Sequence, residues 1–309
     1  MKLVRLLLLL VSPLALAQAP PAPKGPESPK AAAQIDITGQ WVAVVSEDWV
    51  YRMVVAPKGD AGSIPISDAG KKAAQDWDPA KDAHSCKTYG AAGIIRQPGR
   101  IRIGWQDDRT LKMDFDAGTQ TRLLHFSNEL PPIGYPSSEP PQAFRAPADV
   151  GPRSLAGYSV AAWHKQAQTR GLGFGGPPVL PAQRGSLAVL TTNMLPGYLQ
   201  ANGIPYSDDA TLREFYDLVT LPDKTQWLIV TSIVEDPKFL SAPFVTSTQF
   251  KREVAAERKW RPTTCTCSRR FLAKTPRPPR AESELQKEFA TPTLAILASW
   301  RESFRRRQP

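Results

Sequence analysis

Between Arg100 and Phe126 the chain changes direction twice and alternates apolar and polar residues throughout. Arg100 to Trp105 alternates basic and apolar, and Asp107-Asp108-Arg109 supplies turn residues. In Thr110 to Asp116, Leu111, Met113 and Phe115 fall on one side, Lys112 and Asp114 on the other. Ala117-Gly118 turns the chain again and Thr119 to Phe126 returns. Period two belongs to a strand with one buried face, not to a helix. Three such runs joined by short turns predict an antiparallel meander. With 31 prolines, eight tryptophans and few long runs of Ala, Leu, Glu and Lys, the composition favours strands and loops over a helical bundle.

More strand-like runs flank the meander. Trp41 to Ser46 and Trp49 to Val55 are separated by Glu47 and Asp48, which predicts a hairpin. A second set comprises Gly157 to His164, Ser186 to Asn193, Leu212 to Leu221, Gln226 to Val234 and Thr246 to Glu253, with a turn at Pro222-Asp223-Lys224. Asp68 to Gln75 is a short helical candidate. Gly171 to Gly176 is glycine-rich but has no following Lys-Ser/Thr, so it reads as a loop and not a phosphate cradle.

The N-terminus has the three parts of a secretory signal. Lys2 and Arg5 are its charged start, Leu6 to Val11 begin an apolar stretch that ends near Leu16, and Ala15-Leu16-Ala17 is a small-x-small cleavage pattern. The stretch falls short of the roughly 20 residues that span a bilayer. The expected organisation is a signal over 1–17 and a flexible Ala/Pro/Lys-rich leader over 18–34. A first β unit over 35–130, a Pro-rich linker or loop over 131–153 and a second β unit over 154–268 follow. A basic tail occupies 269–309. Thr291-Pro292 opens a short amphipathic helix there, with Leu297, Trp300 and Phe304 on one face and Arg305 to Arg307 at its end.

Net charge is +10, and the tail alone carries ten Lys/Arg against four Glu. Without the signal the rest is close to neutral. Nucleic-acid binding wants a basic face on the folded body, so none is expected. A basic tail on an exported chain suits an anionic membrane surface. Export also bears on Cys86, Cys265 and Cys267: an oxidising compartment predicts a disulfide from Cys86 to Cys265 or Cys267. Cys265-Thr266-Cys267 lacks the two-residue spacing and the nearby histidine of a zinc site, so no metal is expected.

Candidates for catalysis are few. His84, His125 and His164 stand apart in sequence, and no Gly-x-Ser-x-Gly elbow marks a nucleophile. Asp107, Asp108, Glu235 and Asp236 are candidates for a glycosidase-type carboxylate pair. Trp41, Trp49, Tyr51, Trp105, Phe115 and Trp163 fall on predicted strands. In a closed sheet they would line an interior in which Arg52, Arg122 or Lys251 fixes a small apolar ligand. Asn193 to Ser207 is a turn-rich loop carrying Tyr198, Asn202 and Tyr206, residue types suited to recognition.

Two resemblances add to this. Gly39-Gln40-Trp41 resembles the Gly-x-Trp start of lipocalin-like barrels, which implies a basic residue of the last strand, Lys251 or Arg252, over the tryptophan. A longer match resembles a group of secreted bacterial proteins of unknown function. It runs through Trp77-Asp78-Pro79, Cys86, Arg96, Pro98 to Ile101 and Asp114 to Arg122. It continues through Thr191 to Met194, Pro196 to Leu199, Asn202 to Ser207, Glu214, Glu235 to Pro237 and Trp260 to Cys265. That resemblance implies a secreted β-rich protein and the pair Cys86–Cys265, and it brings no activity.

The sequence therefore predicts an all-β protein: an antiparallel meander forming a barrel-like body or two packed β units, plus a short C-terminal helix. The expected function is non-enzymatic binding of a small or lipid-like ligand in the envelope, without a cofactor. The expected ligand-binding residues are Trp41, Arg52, Arg122, Tyr198, Asn202 and Tyr206. The alternatives are a carboxylate-dependent hydrolase and a structural or partner-binding envelope protein.

Overall fold

The computed structural model describes residues 28–82, 85–127, 150–165, 185–254 and 259–265. The predicted meander forms as β2 (Arg100–Asp107), β3 (Thr110–Phe115) and β4 (Gln120–Phe126), after β1 (Gly39–Val44). Next come β5 (Tyr158–Lys165), β6 (Gly185–Thr192), the two-residue strands β7 (Gly197–Tyr198) and β8 (Pro205–Tyr206), then β9 (Thr211–Thr220), β10 (Gln226–Glu235) and β11 (Phe244–Arg252). Nine of these close into one barrel in the order β1-β11-β10-β9-β6-β5-β4-β3-β2. Both predicted β units contribute strands to this single body.

Alternation explains the closure. Ile101 and Ile103 of β2, Leu111, Met113 and Phe115 of β3, Leu124 and Phe126 of β4, Leu187 and Val189 of β6, Leu228 and Val230 of β10 and Phe250 of β11 share one buried core with Trp41. Every pair is antiparallel except β4–β5. A parallel pair cannot be joined by a tight turn. The Pro-rich segment stands between these two strands in sequence, and most of it lies outside the described residues.

The pairing gives the barrel two distinct ends. The start of β1, the β2–β3 turn, the β9–β10 turn and the end of β11 meet at one, called here the mouth. The β3–β4 turn, the β10–β11 connection and the start of β9 meet at the other, the base. The base is covered by α1 (Trp49–Met53), α2 (Asp68–Asp76), α3 (Ala91–Ile94) and the β7–β8 ribbon. A second core forms there from Ile64, Ala74, Met194, Ile204, Tyr206, Leu212, Val234 and Phe244. The Ser67 hydroxyl caps α2 by accepting from the Gly70 N–H at 3.1 Å. Gly70 packs so closely on the Phe239 carbonyl that a Cβ would lie 2.5 Å from its oxygen.

Three expectations are corrected. The hairpin after β1 does not form: Trp49 to Met53 is helical, so Trp49 and Tyr51 are not on a strand. β1 is already paired on both edges, to β2 and β11, and no edge remains for a hairpin partner. The leader does not extend to residue 34 as free chain, because Pro29 and Lys30 are bonded to the barrel. Lys251 is exposed on the outer face. The predicted C-terminal helix and the Gly171 to Gly176 loop lie outside the described residues.

Candidate functional site

The mouth is an aromatic rim crossed by the segment that precedes β1. Trp105 and Trp163 project from β2 and β5 and pack with Phe126. Ring centroids are 5.3 Å apart for Trp105–Phe126, 5.4 Å for Phe126–Trp163 and 6.5 Å for Trp105–Trp163. The Trp163 indole N–H donates to the Pro29 carbonyl at 2.7 Å, and the Lys30 N–H donates to the Asp108 carbonyl at 3.2 Å. Ile35 and Ile37 then turn into the barrel core.

Arg252 fixes the end of this segment. Its guanidinium lies 4.4 Å from the centre of the Trp41 ring and donates to the carbonyls of Thr38 and Asp36 at 2.6 and 2.7 Å. The Trp41 indole donates to the Ile37 carbonyl at 2.9 Å. A cation over an indole face joins three elements at once: the crossing segment, β1 and the last strand.

A cleft of about 370 Å³ remains between rim and segment. Ile35, Ile37, Trp105, Leu111 and Trp163 give it apolar walls, and Lys30 and Gln34 bring polar groups. The buried Gln34 side-chain nitrogen has no hydrogen-bond partner among the described residues. Apolar walls with one or two placed donors, at this volume, are the attributes of a small-ligand site.

The six residues expected to bind ligand do not come together. Trp41 is fully buried beneath Arg252. Arg122 is inside the barrel, where it meets Glu214 at 3.1 and 2.6 Å and donates to Thr191 at 3.1 Å. Burial works against its charge, but Glu214 outweighs this and holds the guanidinium protonated. The other four lie in the base. The Tyr198 hydroxyl donates to Asp82, which also accepts from Trp77 and Lys87. Asn202 is buried and donates to the carbonyls of Pro57 and Asp60. Tyr206 is wholly buried in the second core, and Arg52, on α1, donates to the Arg96 carbonyl. The loop from Asn193 to Ser207 is thus largely a packed lid on the base.

The four candidate carboxylates are split between the two ends. Asp107 and Asp108 form the β2–β3 turn at the mouth, whereas Glu235 and Asp236 end β10 at the base. Asp236 is consumed by structure: it accepts from the Ser207 N–H and hydroxyl at 2.6 and 2.7 Å and from the Lys238 N–H at 2.9 Å. Glu235 is paired to Arg213 at 3.2 Å. The barrel thus keeps Asp107 and Asp108 apart from Glu235 and Asp236. His125 stacks on Tyr158 at 5.0 Å, and burial lowers its pKa against the opposing pull of Asp107. His84 and the side chain of His164 lie outside the described residues.

Cys86 and Cys265 form a disulfide with their Cα atoms 4.7 Å apart. It ties down a strap, residues 259–265, along which Trp260 lies 4.0 Å under the Arg102 guanidinium. Thr263 bonds to the β3–β4 turn: its N–H donates to the Asp116 carbonyl at 2.8 Å and its hydroxyl accepts from the Gly118 N–H at 2.9 Å.

The rim tryptophans were visible in sequence as strand aromatics. Gln34 and Ile35 were not visible as site residues, because nothing local says that a segment next to an Ala/Pro-rich leader folds back over a barrel end. Comparison with protein-family models, curated proteins and solved structures finds no match to this chain.

Proposed function

We propose that this protein is exported and binds a small apolar or lipid-like ligand, without chemistry, in the cleft at the barrel mouth. The observation that carries the reading is the cleft itself: tryptophan and isoleucine walls beside the Lys30 ammonium and a Gln34 side-chain nitrogen that has no partner among the described residues. Such walls favour an apolar body, and the two donors favour an acceptor or acidic end on the ligand. The likeness of Gly39-Gln40-Trp41 to lipocalin-like barrels supports the same reading. The N-terminal signal pattern and the disulfide support export to an oxidising compartment.

Native mass spectrometry of the full chain, expressed in a bacterial host and purified from its envelope, tests both parts. The expected mass lacks residues 1–17 and carries an apolar adduct. Titration with dodecanoate, read by tryptophan fluorescence, should saturate. Trp163→Ala should weaken it about tenfold or more, since burying a large side chain is worth roughly 1.5–3 kcal/mol. Absence of saturable binding, or unchanged binding in Trp163→Ala, overturns the reading.

A further inference from the structure

At the base, α1 and the chain before β2 place two arginines side by side in the interior. The Arg52 side chain is 2% exposed and that of Arg96 is 4% exposed. Arg52 Nε donates to the Arg96 carbonyl at 2.8 Å, which fixes their relation. One nitrogen of each is paired: Arg52 Nη1 with Glu47, and Arg96 Nη2 with Asp48 at 2.8 Å. The remaining three, Arg52 Nη2 and Arg96 Nε and Nη1, are buried without a hydrogen-bond partner among the described residues.

Leaving one buried donor unmade costs about 1–3 kcal/mol, more for a charged group. Three in one place are hard to explain by packing. Both arginines line a cavity of about 290 Å³ whose walls include Thr88, Gln200 and Thr263. The Gln200 side-chain oxygen there is also buried and has no hydrogen-bond partner among the described residues. Arg96 is held from behind, with its guanidinium 5.0 Å from the Phe244 ring centre. Burial lowers the pKa of both arginines, and Glu47 and Asp48 offset this only in part. A further anionic group in the cavity would relieve that penalty.

We infer that this cavity is a second binding site, distinct from the mouth, and that it takes the oxyanion head of a small molecule, of phosphate type, on Arg52 and Arg96. Guanidinium N–H groups bind such heads by charge-assisted hydrogen bonds, and the unpaired nitrogens, from both arginines, are the candidate donors. The head is either a free phosphate or that of an anionic lipid. The second source is physical because α1 also exposes Trp49, Val50 and Met53 beside the cavity.

The test uses the oxidised full chain without its signal, in low-salt chloride buffer. Inorganic phosphate is titrated by calorimetry, and phosphatidylglycerol vesicles are tested by co-sedimentation against phosphatidylcholine vesicles. Saturable phosphate heat with a rise in melting temperature supports a soluble ligand. Co-sedimentation with phosphatidylglycerol alone supports the lipid head. In either case Arg52→Lys, which keeps the charge but loses the planar guanidinium and its Nη2 donor, should bind about tenfold more weakly. Glu47→Gln, which removes the negative charge held against Arg52 Nη1, should bind several-fold more tightly by removing a competing carboxylate. No binding to either probe, or an affinity indifferent to both substitutions, overturns the assignment. Arg52 and Glu47 do not line the mouth cleft, so the response to their substitutions and the dodecanoate result stand or fall separately.

Discussion

Arg122 and Glu214 form an ion pair inside the barrel, with side chains 1% and 0% exposed. Their bidentate contact is completed by Thr191, whose hydroxyl meets that of Ser159 at 2.8 Å. Tyr216 lies in the same interior, where burial and the nearby Glu214 carboxylate push its hydroxyl well above its ordinary pKa. A buried ion pair repays its desolvation only while both members are present. Arg122→Met alone should therefore cost about 3–5 kcal/mol in urea unfolding, by stranding a buried carboxylate. Arg122→Met with Glu214→Leu should recover most of that loss. A single variant as stable as the parent would show that water reaches Glu214.

At the scale of elements, α1 and the β7–β8 ribbon show how surroundings select a conformation. Trp49 to Met53 has strand-like composition, yet both edges of β1 are occupied and the run becomes one helical turn, begun from Asp48 at φ 48°. The ribbon is closed by Gly203 at φ +92°, against the face of Trp77, and a Cβ there would lie 2.4 Å from the ring. Trp77 in turn packs edge-on to Tyr198 at 5.8 Å and donates to Asp82 at 3.1 Å. Gly203→Ala meets both a backbone penalty and a clash. It should destabilise by about 2 kcal/mol or more, since a forced left-handed residue alone costs about 1–3 kcal/mol. Thermal unfolding followed by tryptophan fluorescence will read it, and a neutral result would mean that the ribbon moves freely off Trp77.

At the scale of the molecule, two cores are stacked along one axis: the barrel interior and the base beneath it. The Cys86–Cys265 disulfide links the base to the strap across a sequence separation of 179 residues. Chain entropy gives such a long loop about 5 kcal/mol of stabilisation. Cys86→Ser with Cys265→Ser should lower the unfolding free energy toward that limit, while far-ultraviolet circular dichroism keeps its β signature. Loss of the β signal would instead mean that the strap is needed to close the barrel.

Much of the barrel was legible because its strands carry their own period. Leu111, Met113 and Phe115 declare an inner face whatever they later meet, since adjacent side chains in a strand must point to opposite sides. The turns at Asp107-Asp108-Arg109 and Pro222-Asp223-Lys224 were legible for an equally local reason. Tertiary structure alone decided that both β segments close into one barrel with a parallel β4–β5 pair, and that α1 is a helix. It also decided that Arg252, not Lys251, covers Trp41. The sites belong to that second class. The mouth needs Gln34 against Trp163, and the base needs Arg52 against Arg96, pairs that meet only when the chain has closed. Period and turn chemistry act between neighbours in sequence, whereas a cleft is made by residues whose proximity no local pattern encodes.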